Sequence, residues 1–349
     1  MRKGAFHFIL GLFCCVACKP EYSNHCNPKE NALKERVNFK VGVAVDHDLL
    51  GFDLAYEELV QSQFNSLSPE NAMKASYIHP ASDQFDWYLA DRLVNFAENH
   101  GMRFHGHTLI WHQQLPEWIE NFAGDREQWR ALLEQHIKTI VNRYKGRVAA
   151  WDVVNEAFVE DGSLRNSIWY QHLGASYIRL AFEYAHEADP DALLFYNDYN
   201  LAQNPLKRKA VIRYLEEMKL AGVPIDGIGC QFHINIHFPE VSDLNKCMEE
   251  VCQAGFKLHI SELDIALNPF SRSMPQPKEA DLKRQADRYL AVFKAFDRQP
   301  NLLKYGITMW GLSDADSWIP SYFNREDYPL LFDGNYQAKA AYCKLIESL

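Results

Sequence analysis

The sequence predicts an α/β fold, a single-domain (β/α)8 TIM barrel, and three observations predict it. Short β-branched or aromatic runs alternate with longer amphipathic stretches, and the alternation occurs eight times, the count for strand–helix units closing into a ring. No repeat, low-complexity segment or Gly/Ser-rich linker divides the chain after residue 36. Almost every strand-like run ends in polar or aromatic residues, where such barrels carry their reactive side chains. A doubly wound sheet is the alternative, but it would show a Gly-rich phosphate loop after its first strand. Val41-Gly42-Val43-Ala44 does not supply one.

In chain order the strand-like runs are 39–45, 64–67, 103–110, 148–154, 193–197, 227–232, 257–263 and 305–310. Helical periodicity fills the gaps at 88–99, 127–144, 176–187, 206–221, 244–254 and 282–296, with a last helix at 338–346. In the second of these, Leu132, Leu133, His136, Ile137, Ile140, Val141 and Tyr144 recur at helical spacing and share one face.

The N-terminus belongs to a different regime. Met1-Arg2-Lys3 gives a positive start, and the nearly all-apolar stretch 6–17 is short for a membrane span but fits a secretory signal. It ends in Cys15-Val16-Ala17-Cys18, which resembles a bacterial lipoprotein cleavage box, with Cys15 where that box usually has Leu. The expectation is a signal peptide over 1–18 cleaved before Cys18, which becomes lipidated. A plain secretory signal and an uncleaved anchor are the alternatives. Residues 19–36 read as a polar tether and 37–349 as the catalytic barrel. Such a protein is secreted or held at the bacterial surface or outer membrane, and meets a membrane only through its lipid.

Composition bounds the rest. Of 349 residues, 47% are hydrophobic and 23% charged, enough to bury a sizeable core. Thirty-six Lys and Arg face 46 Asp and Glu, for a formal charge of −10. That excess argues against a nucleic-acid partner, because phosphate contacts need a basic face. Eight Trp, 17 Tyr and 21 Phe supply rings that suit sugars as well as cores. Beyond the signal, Cys26, Cys230, Cys247, Cys252 and Cys343 are odd in number and match no disulfide scaffold or zinc pattern. They are expected to be buried small residues rather than bridges.

The polar clusters fall in one relative place. The second run leads into Ser68-Pro69-Glu70-Asn71-Ala72-Met73-Lys74, and the third into Gly106-His107-Thr108-Leu109-Ile110-Trp111-His112. The fourth ends in Asn155-Glu156 and the fifth in Asn197-Asp198-Tyr199-Asn200. The sixth ends in Gln231-Phe232-His233, the seventh in Ser261-Glu262-Leu263-Asp264 and the eighth in Trp310-Gly311. Glu156 and Glu262 each close an apolar run, and a carboxylate beside a packed interior is costly unless paired or used. Strands four and seven of a ring of eight place them across the barrel mouth. Cleaving a glycosidic bond needs two such groups, one protonated and one ionised.

At this point the motifs identify a family. The stretch 106–111 with His112, Gln114, Pro116 and Trp118 resembles the third-strand signature of glycoside hydrolase family 10. The segment 151–157 is similar to its acid/base motif and 260–265 to its nucleophile motif, and the likeness runs from about 64 to 333. Small departures are Ala75, where the family usually has Trp, and Met309 in place of Phe or Val. The resemblance implies endo-hydrolysis of β-1,4 linkages in xylan or xylo-oligosaccharides by a monomer without cofactor or metal. It makes Glu156 the general acid/base and Glu262 the nucleophile, with net retention. It implies that His233 holds Glu262, that Asn155 binds the sugar 2-OH, and that Gln231 works near the acid/base. Glu70, Asn71, Lys74 and Gln114 would grip the non-reducing side, with His107 and Trp111 lining the cleaved sugar's pocket. Trp310 and Trp318 would form its floor and lid, and Tyr199, with Asn200, would meet the leaving group. Asp264 would support the nucleophile rather than replace it.

Three other functions compete. An endo-β-1,4-glucanase of the same barrel class shares every spacing. A metal-dependent barrel hydrolase would use His105-Gly106-His107 with His112, His233 and His259, although such barrels usually place that pair on the first strand. A non-catalytic sugar-binding barrel would have no use for both glutamates.

Overall fold

The computed structural model describes residues 26–349. The expected signal peptide, its lipidated Cys18 and the first part of the tether lie outside the described residues. The sheet contains β1 (Lys40–Val45), β2 (Ser66–Pro69), β3 (Arg103–Gly106), β4 (Ala150–Asn155), β5 (Leu193–Asp198), β6 (Gly227–Cys230), β7 (His233–Asn235), β8 (Lys257–Ala266) and β9 (Lys304–Met309). All pair in parallel, and β9 returns to β1 with Gly306 opposite Lys40, so the sheet closes.

This is a barrel of eight staves, as the alternation predicts, with the sixth in two pieces. β6 pairs with β8 at its base, and β7 resumes the stave higher up, where His233 stands opposite Asp264. The break falls at Gln231 and Phe232, inside a run that reads as one continuous strand. The Gln231 amide still donates to the Asp198 carbonyl at 3.0 Å, and its side chain lines the mouth.

Small residues let large ones cross the interior. A Cβ on Gly106 would lie 2.2 Å from the Trp151 ring, and one on Gly229 would lie 2.2 Å from Asn197 Oδ1. Gly229 therefore clears the space into which Asn197 turns its amide.

The helices begin where local chemistry starts them. Arg126–Arg143 opens on a capping box between Asp125 and Gln128. Pro205–Leu220 opens on Asn204, with Pro at the first turn, where its missing N–H costs nothing. Leu54–Gln63 is a further helix; its buried Tyr56, Leu59, Val60 and Gln63 share one face, but polar Gln63 and exposed Leu54 blur that stripe in the sequence. Asp53 nonetheless caps it, accepting from the Ala55 and Tyr56 amides. Short helices at Ala75–Ile78, Glu117–Glu120, Ile168–Leu173 and Trp318–Phe323 lie in the loops and were not foreseen. Four to six residues are too few to show a period.

Two expectations fail at the base of the barrel. Residues 26–36 belong to the expected polar tether over 19–36, but Leu33 is fully buried there and its amide donates to Gln63 Oε1 at 3.0 Å. The Tyr342 hydroxyl donates to the same oxygen at 2.8 Å. Cys26 and Cys343 were read as buried thiols but form a disulfide, with Cα atoms 5.0 Å apart. Sequence separation hid the pair: 317 residues part the two cysteines, and only closure of the barrel brings them together. Cys230, Cys247 and Cys252 are buried and free, as expected. Among the described residues no helix is long and apolar enough to cross a membrane.

Candidate active site

A cavity of about 870 Å³ opens at the C-terminal ends of the staves. Every residue singled out for the site in the barrel lines it: Glu70, Asn71, Lys74, His107, Trp111, Gln114, Asn155, Glu156, Tyr199, Gln231, His233, Glu262, Trp310 and Trp318. They come from seven staves, so the barrel itself brings them together.

Glu262 is enclosed by partners. It sits within β8, 5% exposed. Its Oε1 accepts from Asn197 Nδ2 at 2.7 Å, and its Oε2 lies 3.1 Å from His233 Nε2. His233 Nδ1 lies 2.7 Å from Asp264 Oδ2, which also accepts from Trp318 Nε1 at 2.8 Å. Burial alone would raise the Glu262 carboxyl, but the His233 hydrogen bond, the nearby His107 and the Asn197 donor hold it below the ordinary glutamate value. Burial alone would lower His233, but Asp264 and then Glu262 outweigh it and raise the imidazole to about 10. His233 is thus a cation clamped between two carboxylates.

Glu156 is held by its backbone instead. It directly follows β4 and adopts the left-handed conformation, with φ of 58°. Its amide donates to the Asn197 carbonyl at 2.9 Å, and its own carbonyl accepts from Arg165 Nε at 2.8 Å. The carboxyl has looser company. Gln231 Nε2 donates to its Oε1 at 3.3 Å, and His112 Nδ1 stands 4.0 Å from its Oε2. Burial, with Arg165 and Lys207 adding to it, pushes His112 down to about 4, so this imidazole is neutral near neutral pH.

Asn155 joins the two halves. Its Oδ1 accepts from Asn197 Nδ2 at 2.9 Å and from Gln231 Nε2 at 3.0 Å. Turning the amide over would instead offer an acceptor to Trp111 Nε1 at 3.1 Å. Asn197 was noted in its cluster but not as a site residue, and it contacts both glutamates. Its signal was available: an amide ending an apolar strand beside Asp198 and Tyr199.

The remaining residues ring this centre. Lys74 Nζ donates to Asn71 Oδ1 at 2.9 Å and lies 5.0 Å from the Trp111 ring centroid. Burial pushes Glu70 up to about 7 in spite of Lys74. The Gln114 carbonyl accepts from the Ser76 amide at 2.9 Å, tying the loops after β2 and β3 together. Trp310 meets the His107 ring edge-on at 5.2 Å, and Trp318 meets His233 at 4.8 Å. Tyr199 has Lys207 Nζ 3.6 Å from its ring centroid and accepts from Arg165 Nη2 at 2.9 Å. Lys207 in turn pairs with buried Asp198 at 2.7 Å, and burial still pushes Asp198 up to about 6. Arg165 and Lys207 escaped the sequence reading because both lie beyond the strand ends, in a loop and a helix.

The histidines proposed for a metal shell have protein partners. Asp152 Oδ1 lies 3.0 Å from His105 Nε2, and its Oδ2 lies 2.8 Å from His107 Nδ1. Tyr305 Oη lies 3.1 Å from His105 Nδ1, and Thr308 Oγ1 lies 2.8 Å from His259 Nε2. The H-x-H pair thus chelates a carboxylate deep in the barrel, and Asp152 is held well below the usual range: burial opposes this, but His105 and His107 prevail.

Two carboxyl groups therefore share one cavity, one locked in an ionised setting and one poised by its backbone. Known proteins share this arrangement's frame. The family model described as glycosyl hydrolase family 10 matches residues 30–348. The chain is 40% identical over 318 residues to a β-1,4-xylanase of Dictyoglomus thermophilum, covering 88% of each chain. It is 36% identical over 338 residues to endo-1,4-β-xylanase B of Thermotoga neapolitana, covering 96% of this chain and 95% of that one. Among solved structures, xylanase 10B of Thermotoga petrophila RKU-1 in complex with xylobiose superposes with a TM-score of 0.84 at 39% identity, covering 90% and 95% of the two chains. Fold, site and likeness along nearly the whole described length agree, and the chain belongs to glycosyl hydrolase family 10.

Proposed function

We propose that this enzyme is an endo-1,4-β-xylanase that cleaves internal linkages of xylan with retention, using Glu262 as nucleophile and Glu156 as acid/base. The observation that carries the division of labour is the His233 cation held between Asp264 and Glu262. It keeps Glu262 ionised for attack on the anomeric carbon. Glu156, which accepts from Gln231 and has the neutral His112 ring 4.0 Å away, protonates the departing oxygen and then deprotonates the incoming water. Attack forms the Glu262–sugar ester as the glycosidic bond breaks, and water, giving its proton to Glu156, then attacks the anomeric carbon and releases the Glu262 carboxylate. Asn155, fixed by Asn197 and Gln231, is placed to bond the sugar 2-OH, a contact that strengthens in the transition state. The named relatives support xylan as the polymer.

An endo-glucanase would need the same two carboxyl groups. Reducing-sugar release from xylan, mixed-linkage glucan and cellulose separates the two, with Glu262→Ala as control. Xylan is expected to be the preferred substrate, and release from glucan alone would refute that preference. We also propose that 1–18 is a signal peptide and that Cys18 carries a lipid, so the enzyme works at the cell surface. Labelled palmitate should enter the wild type and not Cys18→Ser.

A further inference from the structure

The backbone that aims Glu156 is held by groups that lead inward to one buried cation. Glu156 and Ala157 directly follow β4, and the amide and carbonyl of each are bonded. Two of these bonds lie beyond those already described. The Ala157 carbonyl accepts from the Arg165 amide at 2.7 Å, and the Ala157 amide donates to the Tyr196 hydroxyl at 3.0 Å. A hydroxyl receives an amide only with a lone pair turned toward it, and the partner of its own proton decides that. Tyr196 is fully buried in β5, and its proton goes to Asp198 Oδ2.

Asp198 is fully buried as well, and its Oδ1 accepts from the Tyr199 amide at 2.9 Å. A carboxylate so deep is costly to ionise unless a cation accompanies it. Burial pushes Asp198 up to about 6, and Lys207, then Tyr196, hold it from going higher. Lys207 is itself fully buried, with Nζ 2.7 Å from Asp198 Oδ1. Asn204, which caps the helix carrying Lys207, donates to Glu160 Oε2 at 2.8 Å and to the Glu160 carbonyl at 2.7 Å. The helix start is thereby pinned to the loop after β4. The other side of Lys207 meets the Tyr199 ring, whose hydroxyl accepts from Arg165, and Arg165 holds the Glu156 carbonyl. The path that leaves at Ala157 thus returns to Glu156. A buried ion pair adds little net stability over apolar residues of similar size, so its place on this path points to orientation.

We propose that Asp198 and Lys207 are positioning residues for the acid/base: their ion pair turns the Tyr196 hydroxyl toward the Ala157 amide and so fixes the turn that aims Glu156. This rests on Glu156 being the acid/base, as proposed above, and adds the groups that hold it in place. Without Lys207 the buried Asp198 takes up a proton and can donate to Tyr196 instead of accepting, which turns the hydroxyl proton against the Ala157 amide. Two variants test the path. Tyr196→Phe keeps the ion pair and the ring but removes the oxygen that receives Ala157, and Lys207→Met keeps the length but removes the charge. The readout is kcat/KM, which covers the steps up to the Glu262 ester, where Glu156 acts as acid. Both variants are expected to lower it about tenfold on xylohexaose. Both should leave it unchanged on dinitrophenyl xylobioside, whose leaving group needs no proton. Because they act through one path, the double variant should lose no more than the worse single one. Equal losses on both substrates would assign the pair to folding alone, and no loss on xylohexaose would show that Glu156 is aimed without it; either overturns the proposal. Should Lys207→Met fail to fold, Tyr196→Phe decides by the same two readings. If Glu156→Ala itself lost equally on both substrates, the acid/base assignment would have failed instead.

Discussion

Two histidines stand beside the two glutamates, and the barrel drives them in opposite directions. His233, next to Glu262, is raised to about 10 by Asp264 and Glu262 against the pull of burial. His112, next to Glu156, is lowered to about 4 by burial and by Arg165 and Lys207. Near neutral pH the same side chain is a cation in one half of the mouth and a neutral ring in the other. A cation at hydrogen-bond distance stabilises an ionised carboxylate, whereas the neutral His112 ring stands 4.0 Å from Glu156 Oε2 and brings it no such charge. The difference lies in the second carboxylate: Asp264 sits behind His233, and cations sit behind His112. The proposed division of the two glutamates into nucleophile and proton donor rests on this contrast in what lies one layer further out.

Removing the glutamates breaks the comparison most severely. Glu262→Ala is expected to lower kcat on xylan by at least about 10⁴-fold whatever the leaving group, because no bond to the anomeric carbon can form. Glu156→Ala should cost about 10²- to 10⁴-fold on xylan but far less on aryl xylosides whose leaving groups need no protonation. Steady-state rates on both substrate types check this. If the two variants respond alike to leaving-group acidity, the roles are misassigned.

Arg165 tests the backbone half of the same contrast. It donates to the Glu156 carbonyl and the Tyr199 hydroxyl, so Arg165→Ala should loosen the left-handed turn that aims Glu156. A loss of roughly 10- to 100-fold on xylan is expected, shrinking on activated aryl substrates as it does for Glu156→Ala. A loss independent of leaving group would place Arg165 in general folding rather than in aiming the acid.

How much of this was legible in the sequence depends on distance along the chain. The eight staves and the polar clusters ending seven of them were readable, because strand length and strand-end chemistry are local. Glu156 and Glu262 followed once the ring placed their strands across one mouth. Asn197 was visible in its strand-end cluster, but its contact with both glutamates depends on Gly229 clearing space on the neighbouring stave. Arg165 and Lys207 were missed for a similar reason: they reach the site from a loop and a helix. The Cys26–Cys343 bridge was misread outright, since nothing local to either cysteine announces a partner 317 residues away.

The histidines themselves give a smaller and more pointed effect. His233→Gln keeps a hydrogen-bond donor near Glu262 but removes the cation, so the Glu262 carboxyl should rise. The rate falls as pH drops through that value, because protonated Glu262 cannot attack, and the acidic limb of kcat/KM should therefore move to higher pH. A shift of about one pH unit corresponds to about a tenfold loss at pH values below the limb. His112→Gln replaces one neutral group with another and should leave that limb where it is. A matching shift in both variants would show that burial, not the charge on His233, sets the acidic limb.

The smallest effect on catalysis is expected farthest from the mouth, at the base. Cys26→Ser with Cys343→Ser opens a covalent loop of more than three hundred residues, and the chain-entropy argument puts the lost stability at about 6 kcal/mol at most. The bridge lies at the end of the barrel opposite Glu156 and Glu262, and it ties the segment holding Leu33 to the last helix, Ala340–Ser348. Denaturant midpoints should therefore fall while kcat/KM and both limbs of its pH profile stay at wild-type values under stabilising conditions. That outcome would show that the opposed settings of His233 and His112 are local to the mouth. A limb that moved in the bridge variant would mean that closure of the base helps set the geometry of Asp264 and Arg165, and the charge-layer account of the two glutamates would then have to extend through the length of the barrel.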